Sequence, residues 1–355
     1  MVKDPPLVLD LGIRQGMSSV DVIIPCYRYG HFLEKCVESV LTQENVAIRI
    51  LILDDASPDN TAEVGAALAS KDSRVNFVQH EVNKGHIATF NEGIEWTSAD
   101  YLLLLSADDY LLPGALGRAA AVLDANLDVG FVFGRAVEIN DDGAERIIGV
   151  LNDETGEIRE AVIPGQKFIE HTGARCIVST PTVVVRTALQ KRAGGYRAEL
   201  PHAGDMEMWL RLAAYGSVGI LESSQAVYRR HGENMSHAYF RESKLPDLEQ
   251  RKLAVECFLD SAGHLVGDVE RMRNRFLREL SVNAVGYASD AFNEDEMKLS
   301  REFARLAVSL DPGIRQTLPW AKLVCKRIMG PRAWRIVQPM VGKVQPPHVD
   351  EGKVP

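Results

Sequence analysis

Short apolar runs alternate with amphipathic stretches through the first half of the chain, and this alternation constrains the fold more than any other feature. The runs that have the length and residue types of buried strands are Val20–Pro25, Ile48–Leu53, Val75–Gln79, Tyr101–Leu105 and Val129–Phe133. The stretches with apolar residues at helical spacing are His31–Gln43, Asp59–Ser70, Gly85–Thr97 and Pro113–Ala125. This order predicts parallel βαβ units in an α/β sheet, with helices on both faces and ligands at the carboxyl ends of the strands.

The second half of the chain changes character twice. Residues 135–163 predict antiparallel strands around a turn at Asp141-Asp142-Gly143. Further on, strands at Thr182–Arg186 and Gln225–Arg230 flank a helix at Asp205–Tyr215, and helices follow at Leu248–Leu259, Asp268–Tyr287 and Glu294–Leu310. We therefore expect a lead-in over 1–18, an α/β domain over 19–237, a helical C-terminal region over 238–342 and a disordered tail over 343–355.

Charge and cysteine content exclude several classes of protein. The formal net charge is −9, whereas a protein that binds nucleic acid mainly through electrostatics is normally basic. The five cysteines are scattered and form no CxxC pair, which favours reduced thiols in a cytoplasmic protein. No apolar run approaches the ~20 residues of a membrane span, and no export signal opens the chain, so we expect neither.

Two pairs of aspartates follow apolar strands of the same predicted sheet. Asp54-Asp55 ends the second strand, and Asp108-Asp109 comes just after the fourth. Paired carboxylates after a buried strand are costly unless they have partners or a ligand. One pair can recognise a base or ribose, and the other offers the oxygen ligands that Mg²⁺ and Mn²⁺ prefer. Helix capping explains Asp59 but not Asp54-Asp55, and an acidic turn before the Pro113 helix is the alternative for Asp108-Asp109.

Seven motifs, in order over residues 20–235, resemble family 2 glycosyltransferases with the GT-A fold. They are Val22-Ile23-Ile24-Pro25-Cys26-Tyr27, Cys36 to Gln43, Asp54-Asp55-Ala56-Ser57, Asn83-Lys84-Gly85 to Ile94, Leu105 to Asp109, Gly204 to Arg211, and Tyr228 to Ser236. The resemblance implies a Rossmann-like GT-A catalytic domain over 19–237 with a C-terminal helical extension. It also implies an inverting enzyme that moves a sugar from a nucleotide-sugar donor, in particular a UDP-sugar, to a hydroxyl group.

The resemblance assigns roles to individual residues. The donor nucleotide would lie against the group that consists of Pro25, Tyr27, Asp54, Asp55, Lys84, Asn91, Ser106 and Ala107. A divalent cation, Mn²⁺ or Mg²⁺, would be held by Asp108 with Asp109 close to it, and by His231. Asp205 would be the general base, with an ordinary helix cap as its alternative role. Met206 and Trp209 are weaker candidates for acceptor contact, since the stripe they belong to is also typical of a core.

Three positions depart from the family pattern. Ser106 stands where many relatives carry the first Asp of an Asp-x-Asp motif, which predicts weaker metal dependence. Gly204 stands where a Glu often precedes the base, and Arg28 where Asn often follows the tyrosine. These departures keep open an alternative in which the chain binds a nucleotide sugar without turnover. A receiver-like signalling domain would leave Asp205 without a role, and no GxGxxG follows the first strand to support a dinucleotide oxidoreductase.

The C-terminal stretch is basic. Residues 312–349 hold seven Lys and Arg and no Asp or Glu, so the rest of the chain carries −16. Trp320 and Trp334 lie within this stretch. One interpretation is a peripheral contact of 312–343 with the inner face of the plasma membrane, which would bring the enzyme to a lipid-linked rather than a free saccharide acceptor. The other is a solvated helical face packed on the acidic catalytic domain.

Overall fold

The computed structural model describes residues 16–149, 152–153, 156–157, 162–232, 234 and 244–337. The predicted tail over 343–355, most of the predicted lead-in and part of the closing motif lie outside the described residues.

Parallel strands form the first part of the sheet, as the sequence predicts. β1 (Ser19–Cys26) pairs in parallel with β2 (Ala47–Asp54) and with β4 (Tyr101–Leu104), and β2 pairs in parallel with β3 (Val75–Gln79). The connecting helices are α1 (Gly30–Leu41), α2 (Thr61–Lys71) and α3 (His86–Trp96). The carboxyl ends of three neighbouring strands, in the order β4, β1, β2, therefore lie side by side.

The later strands are β5 to β12, and two of them, β11 and β12, extend this sheet in ways that the strand–helix alternation alone does not predict. After β5 (Tyr110–Leu111) and α4 (Ala115–Ala125) comes the long β6 (Val129–Asn140), whose neighbour β7 (Glu145–Ile148) forms the predicted antiparallel hairpin. β8 (Asn152–Asp153) pairs with β9 (Gly156–Glu157) in a separate small sheet, and β10 (Val162–Ile163) is an edge strand. β11 (Val184–Arg186) lies between β4 and β6, antiparallel to both. β12 (Ser217–Arg230) runs parallel to β6 along most of its length.

Successive side chains of a strand point to opposite faces of the sheet, and each face therefore has its own hydrophobic core. On one face, Val22 and Ile24 of β1 pack with α1 and α4 residues such as Val37 and Leu116. On the other, Ile23 packs in a larger cluster with α3 and with the C-terminal helices. Because both faces are covered, the strands read as continuous apolar runs.

The remaining helices fall between the strands or after them. Three short helices belong to the α/β part, namely α5 (Gly165–Thr172), α6 (Thr187–Ala193) and α7 (Gly204–Ala213). The predicted helical C-terminal region is present as α8 (Leu245–Ala262), α9 (Val269–Asn293), α10 (Met297–Leu310) and α11 (Leu318–Val337). The sequence prediction gave no helix at α5 or α6, which at 8 and 7 residues are too short for helical periodicity to stand out.

Helix starts differ from the sequence predictions by one to three residues. Asp59, predicted as the N-cap of α2, lies one residue further out, because Asn60 occupies that position. Its carboxylate still accepts hydrogen bonds from the Thr61 backbone and hydroxyl, at 3.2 and 2.6 Å. Within the described part of the chain, no helix is long and apolar enough to cross a membrane.

Gly165 gives a test of how tightly α5 is seated. A Cβ there would lie within 2.2 Å of the Ala213 and Gly216 carbonyl oxygens, which are backbone atoms and cannot rotate away. We expect Gly165→Ala to lower the free energy of unfolding by ~1–3 kcal/mol, measured by urea denaturation. The matched control is Gly286→Ala in the middle of α9, where a Cβ meets nothing within 4 Å, and which should stabilise by up to ~1 kcal/mol. Equal effects of the two substitutions would contradict this packing.

Candidate functional site

Two turns meet at the carboxyl ends of β1 and β2. The Asp55 N–H donates to the Cys26 carbonyl oxygen at 2.9 Å, and the Arg28 N–H donates to Ser57 Oγ at 2.9 Å. Arg28 and Ala56 both have positive φ angles, 65° and 58°. Asparagine tolerates this region better than arginine does, so Arg28 holds a backbone conformation that its residue type rarely adopts. The turns leave the Tyr27 side chain 43% exposed at the rim.

Asp54 presents a carboxylate oxygen that lacks a partner. Its Oδ1 accepts a hydrogen bond from the Ser57 N–H at 2.9 Å, which closes the turn. Its Oδ2 is buried and accepts no hydrogen bond. A buried carboxylate oxygen without a donor is costly, so this atom is suited to accept a hydrogen bond from a ligand.

Both carboxylate oxygens of Asp55 have hydrogen-bond partners within the protein. Its Oδ1 lies 2.8 Å from His80 Nδ1 and accepts the Lys84 N–H at 2.8 Å, while its Oδ2 accepts the Gly85 N–H at 2.9 Å. Burial alone would raise the pKa of Asp55, but the hydrogen bonds from His80, Lys84 and Gly85 outweigh it and lower the pKa. Asp55 therefore fixes the loop before α3, whereas the sequence analysis placed it on the donor.

The other predicted donor-binding residues divide into exposed and engaged groups. Pro25 lies partly buried in β1, and the Lys84 ammonium donates to Glu92 Oε2 at 2.8 Å on the surface. Asn91 is engaged at both ends of its amide: Oδ1 accepts the Tyr196 N–H at 2.6 Å, and Nδ2 donates to the Tyr196 carbonyl oxygen at 2.9 Å. Asn91 thus joins α3 to the segment before α7, and its contact with the donor nucleotide stays a prediction.

Asp108 and His231 come together although 123 residues separate them. Asp108 Oδ2 lies 3.2 Å from His231 Nε2 and accepts a hydrogen bond from Asn234 Nδ2 at 3.2 Å. Ser106 is partly exposed just before Asp108, and Ala107 is buried. Among the described residues, no group of three or more His, Cys, Asp or Glu is arranged to hold a metal ion.

Asp109 points into the protein. Its Oδ1 accepts the Arg229 N–H at 2.9 Å, and Arg229 Nη1 donates to the Asp108 carbonyl oxygen at 2.7 Å. Burial, together with the negative charge of Asp108, raises the pKa of Asp109 well above its usual range. The hydrogen bond from the Arg229 backbone joins Asp109 to the end of β12, while its metal role stays a prediction.

Asp205 reaches the same edge of the sheet through β11. Because β11 is antiparallel to β4, residues just before β11 lie at the carboxyl end of β4. One of these residues, Thr180, donates its hydroxyl to Asp205 Oδ2 at 2.8 Å. Asp205 is the second residue of α7, where Ala203 is the N-cap, so the alternative role of a side-chain cap does not hold.

The surroundings of Asp205 raise the pKa of its carboxyl group. Burial raises the pKa of Asp205, and the hydrogen bond from Thr180 only partly offsets this. Part of the side chain stays exposed, which leaves it reachable. The buried Tyr196 hydroxyl lies near Asp205, and burial together with the charge of Asp205 raises the pKa of Tyr196 well above its usual range.

A buried ion pair holds α7 in place. Glu207 is fully buried and accepts from Arg211 Nη2 at 2.8 Å and from Arg197 Nε at 3.0 Å. Met206 and Trp209, the weaker candidates for acceptor contact, belong to the core on this side of the sheet. Both are almost completely buried because α7 packs against the sheet, and they offer no surface to an acceptor.

The C-terminal helices contact the two segments that carry Asp205 and Thr180. On the side of α7, His202 Nε2 lies 2.9 Å from Asp247 Oδ1 of α8. On the side of Thr180, Arg251 Nε donates to the Ala174 carbonyl oxygen at 2.8 Å, and Glu279 Oε2 of α9 accepts the Ala174 N–H at 3.0 Å. The helical region therefore borders the Asp205 side of the site.

Sequence reasoning missed the partners of the predicted residues. His80, Thr180, Tyr196 and Asn234 were not singled out. His80 directly follows β3, and Thr180 precedes β11 closely, so the rule about polar residues at strand ends could have found these two. Asn234 lies within the closing motif from Tyr228 to Ser236, whereas for Tyr196 we find no comparable signal in the sequence.

Comparison with known proteins identifies the family. Residues 21–176 match the model described as Glycosyl transferase family 2. The matched segment holds both aspartate pairs, Asp54-Asp55 and Asp108-Asp109. A relative, an uncharacterized glycosyltransferase of Haemophilus influenzae, is 21% identical over 247 residues, which are 69% of this chain and 75% of the relative. The protein is therefore a glycosyltransferase.

Solved structures confirm the GT-A fold. The S. aureus protein TarS (residues 1–349, in complex with UDP) has a TM-score of 0.62 at 16% identity, and the match covers 94% of each chain. The mannosyltransferase PcManGT from Pyrobaculum calidifontis, in complex with GDP-Man and Mn²⁺, has a TM-score of 0.53 at 14% identity, covering 89% of this chain and 87% of that one. At these identities the likeness concerns the fold.

The contacts of Asp55 predict a pH-dependent contribution to stability. Asp55→Asn should lower the free energy of unfolding by ~1–3 kcal/mol at neutral pH, because the loop N–H groups lose a carboxylate acceptor. The pKa of Asp55 is lowered in the folded state, so this contribution is complete above the ordinary Asp pKa of ~3.9 and is lost as the pH falls through the lowered value. Urea denaturation between neutral and acid pH measures the difference.

The control is Asp72→Asn, since Arg74 also lowers the pKa of Asp72, to about 2. That pair is exposed, so its loss should cost less than ~1 kcal/mol at any pH. An Asp55→Asn effect as small as that of Asp72→Asn would contradict a structural role for Asp55.

Proposed function

We propose that this family 2 enzyme transfers a sugar from a UDP-linked donor to a hydroxyl of a saccharide or lipid-linked acceptor, with inversion of the anomeric carbon. One observation supports this proposal most strongly. Three groups lie at the same edge of one sheet: the unpartnered Asp54 oxygen, the Asp108–His231 pair and the Asp205 carboxylate. We propose residues 19–237 as the catalytic domain and 238–342 as the helical region. The alternative is a nucleotide-sugar-binding protein without turnover.

The donor nucleotide would lie over the ends of β1 and β2. The exposed Tyr27 ring is suited to stack on the base, and Asp54 Oδ2 is suited to accept a hydrogen bond from the base or ribose. Asp55 contributes indirectly by fixing the Lys84–Gly85 loop. UDP is favoured as donor nucleotide because TarS, the neighbour with TM-score 0.62, was solved with UDP, whereas PcManGT was solved with GDP-Man.

A divalent cation fits beside the donor diphosphate. Asp108 Oδ2 and His231 Nε2 converge and supply one carboxylate and one imidazole, a set compatible with Mn²⁺. With two protein ligands, the other positions would be taken by phosphate oxygens and water. When bound, such a cation supplies charge that stabilises the departing diphosphate. Ser106 adds no charge here, which fits the expected weaker metal dependence.

Asp205 would act as the general base. The acceptor hydroxyl loses its proton to Asp205 as its oxygen attacks the anomeric carbon, and the bond from that carbon to the diphosphate oxygen breaks on the opposite face. An α-linked donor therefore gives a β-linked product without a covalent enzyme intermediate. The raised pKa of Asp205 makes its carboxylate a stronger base than an exposed aspartate.

Nucleotide binding tests the donor side. Calorimetry with UDP, GDP, dTDP and CMP, with and without Mn²⁺, should give binding of UDP alone, tighter with metal. Asp108→Ala should abolish the metal effect because it removes the carboxylate ligand, while Asp142→Ala on the exposed β6–β7 turn is the control. Preferential binding of GDP would overturn the UDP assignment, and binding of no nucleotide would overturn the proposed donor site.

Replacement of Asp205 tests the acceptor side. Asp205→Asn should lower kcat by ~10²–10⁴-fold, because the general base is lost, with UDP affinity unchanged. The variant should unfold at no lower a temperature than the wild type, because an amide needs less solvation than a carboxylate in this surrounding. Donor turnover, calorimetry and thermal melting measure the three quantities. An unchanged kcat would exclude Asp205 as the base, and a wild type that binds UDP-sugars without turnover would favour the alternative.

Thr180→Val tests the role of the Asp205 carboxylate through the pH dependence of kcat. The Thr180 hydroxyl donates to the ionised form and lowers the pKa of Asp205, so its removal should raise that pKa further. The acid limb of kcat should then shift to higher pH, with the rate recovered at alkaline pH. Thr187→Val, a buried threonine whose hydroxyl has no hydrogen-bond partner, is the control and should leave the profile in place.

A further inference from the structure

Helix α11 carries a row of apolar side chains on its outer face, in addition to Leu323 and Trp334, which are buried. Leu318, Ala321, Cys325, Ile328 and Met329 are all exposed, and their spacing of three and four residues places them along one face. Leu318 and Ile328 are 79% and 80% exposed, at opposite ends of a stripe ~15 Å long. We call these five residues the α11 stripe.

The inward face of α11 carries a buried lysine as well as the buried Leu323. Lys326 is buried and donates to Ser289 Oγ at 2.5 Å and to Asn293 Oδ1 at 3.1 Å. Its ammonium also lies 4.9 Å from the centre of the Trp334 ring. Burial lowers the pKa of Lys326. The contacts of Lys326 settle the orientation of the helix, so the stripe cannot turn inward without breaking them.

Basic side chains surround the stripe. Residues 312–337 contain six Lys and Arg and no Asp or Glu. Arg315 and Arg332 are exposed, Lys322 is partly exposed, and Arg335 is exposed with Asp295 at 3.2 Å. Beyond the Gly330–Pro331 break in the helix, Ile336 is 74% exposed as well. Exposed aliphatic residues among basic ones are the composition of a helix that lies in a membrane interface.

We propose that the α11 stripe and its basic neighbours bind the surface of an anionic lipid bilayer. The aliphatic side chains would enter the boundary between headgroups and acyl chains, and the basic side chains would meet the lipid phosphates. A second copy of this chain fits less well, since a twofold contact of the same surface would place these basic residues opposite each other. The proposal does not depend on the identity of the donor or acceptor.

The apolar residues proposed for this contact differ from those the sequence indicated, whereas Lys322, Arg332 and Arg335 were predicted too. Trp334 and Lys326 face the protein, and Trp320 is partly buried against the core. Leu318, Ile328 and Ile336 take their place because the helix turns its lysine inward.

Vesicle sedimentation of the full chain tests the proposal. The probes are vesicles of phosphatidylcholine alone and of phosphatidylcholine mixed with phosphatidylglycerol. The wild type should sediment with the anionic vesicles, less so at high salt, and not with the neutral ones. Leu318→Ser combined with Ile328→Ser should weaken binding by at least about tenfold. Lys322→Gln combined with Arg332→Gln should weaken it by about fivefold per residue.

The matched control is Leu127→Ser combined with Ile147→Ser, two exposed aliphatic residues of the α/β part, which should leave vesicle binding unchanged. All variants should keep wild-type melting temperature and UDP affinity, so that lost vesicle binding is distinct from misfolding or a failed donor site. The proposal is overturned if the wild type ignores anionic vesicles or if the stripe variant binds as well as the control. A dimer in light scattering that the stripe variant abolishes would assign the surface to a second copy instead.

Discussion

Buried carboxylates need partners, and in this protein that requirement decides where the loops around the cleft lie. Asp21, fully buried in β1, accepts the Ser98 and Ala99 N–H groups and pairs with Arg49 at 2.7 Å. Asp55 does the same for the Lys84–Gly85 loop, and Glu207 for the start of α7 through Arg197 and Arg211. Removing one partner from such a group leaves a buried charge and costs several kcal/mol, so each pairing fixes its loop. The unpartnered oxygen of Asp54 stands out against this background.

The two sides of the cleft are built differently. The donor side uses the ends of parallel strands close in sequence, whose turns bond directly to each other. The Asp205 side is assembled from segments far apart along the chain. Asn91 of α3 holds Tyr196, Thr180 holds Asp205, and the C-terminal helices hold Ala174 and His202. The helical region therefore contacts segments on both sides of Asp205, in addition to its own packing.

Sequence reasoning succeeded where a residue had no structural alternative. Val22 to Ile24 form a buried strand, as their β-branched apolar side chains predict. It failed where the role of a residue depends on hydrogen-bond partners that are distant in sequence. Asp108 and Asp109 are neighbours of one type, yet one faces His231 and the other the Arg229 backbone, and both partners are more than 100 residues away. The strand at Thr182–Arg186 was predicted. Its position between β4 and β6, antiparallel to both, was not predicted, because an apolar run does not indicate the direction of a strand in the sheet.

The pairing of β12 with β6 has a consequence for the order in which the chain folds. Strands β1 to β4 form from units that follow one another, whereas Ser217 must find Val129 and Val184 must find Leu103 across long loops. Closing a long loop costs entropy before its contacts form, so pairing between distant strands is slow. The nucleotide side can therefore assemble while the rest is still unfolded. On this view Asp205, which depends on Thr180 just before β11, is among the last groups to reach its place.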